Sequence, residues 1–268
     1  MPAPKLLQIV PSLSGSVARA TLDAAQAVIA AGGSAIVASP GGTMVPDLLR
    51  LRASHLELPL ARHPLWARLN MPSRLVSSIG SFGPELVQAR SPLTGWIAGA
   101  VARRLGVKWI ATLHHPFVAT GMLPSYVERQ QATADGLIAV SEHVARDLRQ
   151  RFPAAADRLE VIPPGVNLDR FDPAIVRADR VIKLAAQLRV PDGAHVVLYP
   201  SRLVEERGEK TLIEAVRQLG RDDVFCLLLG SAGAPTPLEK DLERAIESAG
   251  LNGKVQIGPY VDDMPAAY

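Results

Sequence analysis

The sequence holds one cysteine, Cys226, in 268 residues. No disulfide can form within the chain, and a zinc site of clustered cysteines is excluded. Cys226 lies in the apolar run VFCLLLG, where a small core residue is expected. Aromatic residues make up only 4%, too few for base-stacking platforms. Lys+Arg number 29 against 26 Asp+Glu, a mildly basic balance with pI near 9.2. Nucleic acid is therefore not an expected partner, whereas small acidic ligands and an anionic membrane surface are compatible. No apolar run approaches the ~18 residues of a membrane span, and residues 6–10 are too short for the core of a secretion signal. A cytoplasmic protein is expected, with peripheral contact on the cytoplasmic face of the inner membrane left open. There is no G-x-G-x-x-G: the loop after the first apolar run has the single glycine Gly15, and the second run ends at Ser39 rather than at an acid, which argues against NAD. A G-x-S-x-G elbow is also missing, which argues against a serine hydrolase. No cofactor and no metal are expected.

What the sequence does hold is a core and a rhythm. Apolar residues are 48% and mean hydropathy is +0.14, enough for a sizeable interior in one large or two ordinary domains. Short β-branched apolar runs alternate with segments carrying apolar residues at helical spacing. KLLQIV (5–10), SAIVAS (34–39), HLELPL (55–60), ELVQAR (85–90), VKWIATLH (107–114), GLIAV (136–140) and LEVIPPGV (159–166) are predicted strands. Helices are predicted over 17–31, 44–51, 66–81, 94–105, 123–133 and 142–151. Gly32 and Gly33 stop the first, and Ser141 caps the last. Glu142 and Arg146 are spaced to pair along that last helix.

This alternation predicts an α/β fold, a doubly wound parallel sheet with right-handed crossovers. Ligands of such sheets lie outside the carboxyl ends of the strands. The residues there are Gly15 and Ser16, Arg90 and Ser91, His114, Ser141, and Asn167. Neighbours on a strand point to opposite faces, so His114 and His115 make a poor chelating pair. A charged, proline-containing stretch follows, and the rhythm restarts at His195. Two domains are expected, 1–175 and 176–268. The second has strands HVVLYP, DVFCLLLG and KVQIGP, with helices near 209–219 and 237–249. VDDMPAAY reads as a helix start with an aspartate cap, and three apolar strands want more cover than this unit has. The expectation is a truncated chain carrying part of its second domain.

HVVLYP empties through a loop with Arg202, Arg207, Gly208 and Lys210 into the helix KTLIEAVRQL. Unpartnered amides and the positive end of a helix dipole make such a junction an anion site, and fixed cations suit it to a diphosphate. Glu205, Glu206 and Glu209 beside them fit a plain solvated loop equally well. Gly230, Ser231, Tyr260 and Val261 follow the next two strands, where a base and ribose could rest or where turn chemistry alone is needed. Trp66, Leu69 and Met71 form a stripe that reads as core packing before it reads as a lipid face.

Several local patterns recur in a known order: VARATLD (17–23), QARS (88–91), TLH (112–114), IAVSE (138–142), VIPPGVN (161–167), FDP (171–173), PSRL (200–203) and GPYVDDMP (258–265). With these the chain resembles the retaining glycosyltransferases of GT-B type, family 4, bacterial sugar-transfer enzymes of the cell envelope. The resemblance implies two Rossmann-like doubly wound domains, the first receiving the acceptor and the second binding the nucleotide-sugar. It implies a metal-independent hexosyltransferase that uses a nucleotide-diphosphate sugar donor and a glycan or lipid-linked acceptor, as in lipopolysaccharide biosynthesis. Arg202 and Arg207 would hold the diphosphate, with Arg207-Gly208 standing where the family has lysine-glycine. Gly15-Ser16 stands where it has a glycine pair, and His114 would lie near the donor sugar. The family's paired glutamates would fall beyond Tyr268, so a fragment of this length is expected to be inactive alone. A nucleotide-sugar epimerase and a non-catalytic sugar-binding protein are the alternatives.

Overall fold

The computed structural model describes residues 3–59, 70–117, 122–201, 203–204, 207–231 and 235–268. The chain divides into two compact units, Met1–Gly165 and Val166–Tyr268.

Unit 1 is built on β1 (Lys5–Ile9), β2 (Ser34–Ser39), β3 (Ser54–Glu57), β4 (Leu86–Ala89), β5 (Lys108–Leu113), β6 (Gly136–Ala139) and β7 (Leu159–Val161). All neighbours are parallel, in the order β3-β2-β1-β4-β5-β6-β7. The order reverses direction at β1, so the crevice beyond β1 and β4 is the topological switch point where such sheets receive ligands. The helices are α1 (Gly15–Ala30), α2 (Val45–Arg50), α3 (Met71–Ile79), α4 (Pro92–Leu105), α5 (Met122–Arg129) and α6 (Glu142–Arg151). They cover both faces and close two apolar clusters. One is centred on Leu7, Ile9, Val87, Ile97 and Leu137, the other on Val10, Leu13, Leu22, Val37 and Leu48. The doubly wound parallel α/β architecture expected from the alternation is the one found.

Local chemistry sets the helix starts. Ser91 is extended and forms a capping box with Thr94: the Thr94 amide donates to Ser91 Oγ at 3.4 Å, and the Ser91 amide donates to Thr94 Oγ1 at 3.1 Å. Gly106, at φ 68, ends α4 in the left-handed conformation that glycine reaches without strain. Ser91→Ala is expected to lower the stability of unit 1 by about 1 kcal/mol, the usual worth of such a cap. Urea denaturation measures it, and an unchanged midpoint would show that the cap contributes nothing. Glu142 pairs with Arg149, two helical turns on, at 3.3 Å, and no ion pair with Arg146 is found among the described residues.

Unit 2 holds α7 (Leu168–Phe171), α8 (Ala178–Gln187), β8 (His195–Pro200), α9 (Glu209–Leu219), β9 (Val224–Ser231), α10 (Pro237–Ser248), β10 (Val255–Pro259) and α11 (Met264–Ala267). Its sheet is parallel, in the order β10-β9-β8. Cys226, Leu228, Ile213, Val216 and Leu242 form a core on one face. Leu188, Phe225, Leu227, Leu229 and Val261 pack on the other. Cys226 is buried there, and burial raises its thiol to about 11, so it is an inert core residue.

The division falls before Val166 rather than near residue 175. The reason is in the side chains of the intervening stretch. Arg170 donates to the Asp262 carbonyl at 3.2 Å, and the Phe171 ring lies 6.1 Å from that of Tyr268. Both contacts tie 166–175 to unit 2. Of the Trp66, Leu69, Met71 stripe, the first two lie outside the described residues, and Met71 is buried in the unit 1 core. Among the described residues no helix is long and apolar enough to cross a membrane.

Candidate functional site

In unit 1, strands β1, β4 and β5 are apolar, apart from the lysines that open β1 and β5, except at one position each: Gln8, Gln88 and Thr112. All three are buried, Gln8 at 0% exposure. Gln8 and Gln88 are register partners on neighbouring strands. Gln8 Nε2 donates to the Thr21 carbonyl of α1 at 3.0 Å, and Gln88 Nε2 donates to Thr112 Oγ1 at 3.0 Å. Side chains alternate along a strand, so Arg90 continues the face of Gln88, and His114 continues the face of Thr112. A polar ladder thus runs through an apolar sheet to its carboxyl edge.

Arg90 stands at the head of that ladder and is 8% exposed. Its Nη2 donates to the Ala20 carbonyl at 3.1 Å and more weakly to Gln88 Oε1 at 3.5 Å. Its Nε has no hydrogen-bond partner among the described residues. Burial lowers its pKa to about 10, opposed by the charge of Asp23 on α1. It is still a cation at neutral pH, held in a place where desolvating a charge is expensive. Asp23 in turn is raised by burial, with Arg19 and Arg90 pulling the other way.

His114 follows β5. Its Nε2 is buried with no partner among the described residues. Burial, then the charge of Arg90, then His115 hold it down to about 4, so it is a neutral imidazole. His115 is exposed, its Nδ1 3.1 Å from the Pro116 carbonyl oxygen. Buried polar atoms without partners are rare. Here Gln8 Oε1, Arg90 Nε and His114 Nε2 belong to one group. Sequence reasoning placed Arg90 and His114 at this edge and missed Gln8, Gln88 and Thr112, whose signal was a polar residue inside each apolar run.

The start of α1 lies at the same edge. Gly15 opens the helix at φ 77, so Gly15 and Ser16 belong to its first turn and not to a free loop. Ser14 makes no side-chain bond to its own helix. Its Oγ instead accepts from the Thr43 amide at 3.0 Å. The first amides of a 16-residue helix are therefore left without a side-chain cap, at the positive end of its dipole. The other predicted positions serve their helices. Ser91 caps α4, Ser141 Oγ accepts from the Val144 amide at 3.3 Å, and Asn167 Oδ1 accepts from the Arg170 amide at 3.0 Å.

In unit 2, Arg202 lies outside the described residues, as do Glu205 and Glu206. Arg207 is exposed, and its carbonyl accepts a bond of 2.5 Å from the Tyr199 hydroxyl. Gly208 turns the chain at φ 93 into α9. Glu209, the first residue of α9, is buried, with Oε1 unpartnered among the described residues. Gly230 and Ser231 close β9 instead of following it. Ser231 hydrogen-bonds the Glu239 carboxylate, which helps hold that group below the ordinary carboxylate range. Tyr260 is 64% exposed, whereas Val261 is buried in the unit 2 core. Two concavities of about 450 and 510 Å³ also lie in unit 2. Neither is lined by one of the candidate site residues named from the sequence. The first is bounded by the Arg180–Asp263 ion pair, the second by apolar side chains of α8, β8 and α11. Among the described residues no group of His, Cys, Asp and Glu could hold a metal ion.

The geometry is therefore a parallel sheet with a buried polar cluster at its carboxyl edge, beside the switch point, followed by a second parallel unit with a strand–loop–helix junction. Comparison with known proteins gives the same picture. Residues 17–170 match the family described as Glycosyltransferase Family 4, and residues 181–268 match Glycosyl transferases group 1. A GDP-mannose-dependent alpha-(1-6)-phosphatidylinositol monomannoside mannosyltransferase of Mycolicibacterium smegmatis is 31% identical over 221 residues, 77% of this chain and 55% of that protein. The chain spans about half the length of the curated relatives it matches. A glycosyltransferase of Rickettsia africae superposes with TM-score 0.86 at 26% identity, over 100% of this chain and 71% of that one. Anabaena HepE, solved with UDP and glucose, shares the fold with TM-score 0.81 at 20% identity, over 98% of this chain and 71% of its own. From its sheet order, its two units and these matches, the chain belongs to glycosyltransferase family 4, with the GT-B fold.

Proposed function

We propose that the chain is part of an enzyme that moves a hexose from a nucleotide-diphosphate sugar to a glycan or lipid-linked acceptor of the cell envelope, with retention of configuration and without a metal. The observation that carries this reading is the buried polar cluster at the carboxyl edge of the unit 1 sheet. A neutral His114 and a cationic Arg90 keep unpartnered hydrogen-bonding atoms at the mouth of a family 4 sheet. Such groups suit sugar hydroxyls and developing charge.

In the proposed reaction the bond between sugar C1 and the β-phosphate oxygen breaks. The acceptor oxygen bonds C1 on the same face, and its proton passes to the departing phosphate. Arg202 and Arg207, with the α9 amides, neutralise that phosphate. Each charge-assisted hydrogen bond there contributes about 1.5–3 kcal/mol. Gly15 and Ser16 present α1 amides to the donor. Gly230, Ser231, Tyr260 and Val261 flank the base and ribose, in part through backbone groups. Acting at the cytoplasmic face of the inner membrane agrees with a lipid-linked acceptor and a mildly basic chain. The mannosyltransferase and HepE names support a nucleotide-sugar donor.

The test incubates the 268-residue chain with UDP-, GDP- and ADP-sugars, with and without cell-envelope lipid extract. A chimera completed with the remaining C-terminal part of the Rickettsia protein is run in parallel. Acceptor-dependent transfer with an unchanged anomeric configuration, insensitive to EDTA, is expected from the chimera. Release of free sugar and nucleotide without acceptor would point to an epimerase instead, and binding without turnover to a sugar-binding protein. In the active form Arg202→Ala is expected to cut turnover about tenfold or more, the loss of one charge-stabilising group. Unchanged turnover would remove Arg202 from the mechanism.

A further inference from the structure

Arg90 is a buried guanidinium that forms no ion pair with any described carboxylate and spends its hydrogen bonds on Ala20 and Gln88. Gln88 is thereby fixed in one orientation. Its Oε1 accepts from Arg90 while its Nε2 donates to Thr112, two residues before His114 on the same face. The β4–β5 register pairs Ala89 with Ala111, so the next pair along is Arg90 beside Thr112, with His114 one same-face step further toward the carboxyl edge. A permanent cation is thus built into the neighbouring strand end, one register step from His114, and the ladder beneath holds it there.

We propose that Arg90 is a positioning residue for His114: anchored through Gln88 and α1, its fixed charge adds to burial in keeping the imidazole neutral, so that His114 meets the substrate as a group able to donate one hydrogen bond and accept another. The proposal rests on the reading of this polar cluster as the substrate side of unit 1. It gives a physical reason for a buried arginine that would otherwise only destabilise the unit.

Arg90 and His115 are the charged groups that act on His114 itself, and the other titratable groups named for this edge of the sheet act on one another. Arg90 follows β4 and His115 follows β5, and both oppose protonation. From α1 come Arg19 and Asp23, and Asp23 is the carboxylate that works against Arg90. From α6 come Asp147 and His143. Asp147 is already engaged by the Phe117 amide at 2.9 Å and by Arg151 at 2.8 Å. Burial is the largest influence on His114, and the fixed charge that acts in the same direction is the Arg90 cation.

The test is an imidazole 15N NMR titration of the 268-residue chain, with His114 assigned by the His114→Gln variant. The wild-type resonance is expected to stay neutral down to acid pH, its midpoint near 4. In Arg90→Gln the midpoint should rise by about half a pH unit or more, because a neighbouring cation has been removed. In Arg90→Lys, which keeps the charge and loses the fork, the midpoint should stay low. The other five histidines report that the fold is intact. An ordinary midpoint in the wild type overturns the proposal without any variant. So does an unmoved midpoint in a folded Arg90→Gln. Should Arg90→Gln not fold, a rise in Arg90→Lys to the ordinary range shows that the charge was not the agent and overturns it equally. The titration needs neither donor nor acceptor, so it stands apart from the transfer assay. A chain that fails to transfer sugar but shows the charge-dependent midpoint sinks the functional reading alone.

Discussion

Gly42→Ala is expected to destabilise unit 1 by about 2–4 kcal/mol, while Gly41→Ala one residue earlier costs only about 1. Both glycines have positive φ, 99 at Gly41 and 152 at Gly42, so both carry a conformational cost when a side chain is added. Only Gly42 also meets a wall. A Cβ there would stand 2.3 Å from the Leu13 carbonyl carbon and oxygen and 2.7 Å from Ser14 Oγ, whereas at Gly41 nothing lies within 4 Å. The wall cannot yield easily. The Leu13 amide donates to the Gly41 carbonyl and the Met44 amide to the Leu13 carbonyl, each at 2.9 Å. The Thr43 amide donates to Ser14 Oγ at 3.0 Å. These bonds clamp the β1–α1 connection against the β2–α2 connection, and they aim the first amides of α1. The substitution should therefore also weaken nucleotide-sugar binding, if those amides face the donor. Paired urea titrations of the two variants decide the stability claim. Equal losses would mean that the contact with Leu13 carries no cost and that the clamp is slack.

The same clamp shows what the sequence could and could not disclose. The runs SAIVAS and HVVLYP and the segments 142–151 and 209–219 match β2, β8, α6 and α9 to the residue. Their apolar period and caps are local properties, readable without partners. Gly15 was legible as a glycine at a strand end, but not as the first residue of a helix. Its cap, Ser14, turns its hydroxyl away to Thr43, 29 positions along the chain. The unit boundary shifted for a like reason: Arg170 finds its acceptor at Asp262, 92 positions away. Gln8, Gln88 and Thr112 were visible as polar interruptions of apolar strands. That they form one ladder depends on register, which single-strand patterns do not contain. Arg90 and His114 were found by their place at strand ends and, for His114, by the family resemblance, and their shared burial became apparent only in the folded chain.

His114→Ala should lower kcat/KM of the transfer-competent form about 10²-fold or more, the scale set by loss of a preorganised donor in a dry site. The physical case rests on the state of the ring. Burial, Arg90 and His115 hold His114 near 4, so across the neutral range it is an uncharged imidazole with its Nε2 unpartnered among the described residues. A neutral ring can bond a sugar hydroxyl or the leaving-group region without an anionic partner, and it contributes no ionisation to the rate between pH 6 and 8. His114→Gln, which keeps a donor, should recover part of the loss. The same ring links folding to acid. Its folded pKa lies below its unfolded value of 6.5, so the unfolded chain binds the extra proton. The stability contributed by the neutral form is complete above pH 6.5 and is lost as pH falls toward 4. At pH 5 the loss relative to pH 7 should be about 1 kcal/mol, discounted for the partial exposure of the ring to solvent. Melting curves at the two pH values, run on wild type and His114→Ala, isolate this share, because every other titrating group is common to both. The wild type should lose more on acidification than the variant. Parallel melting curves would show that His114 titrates alike in the folded and unfolded chain, and would remove the neutral imidazole from the catalytic proposal.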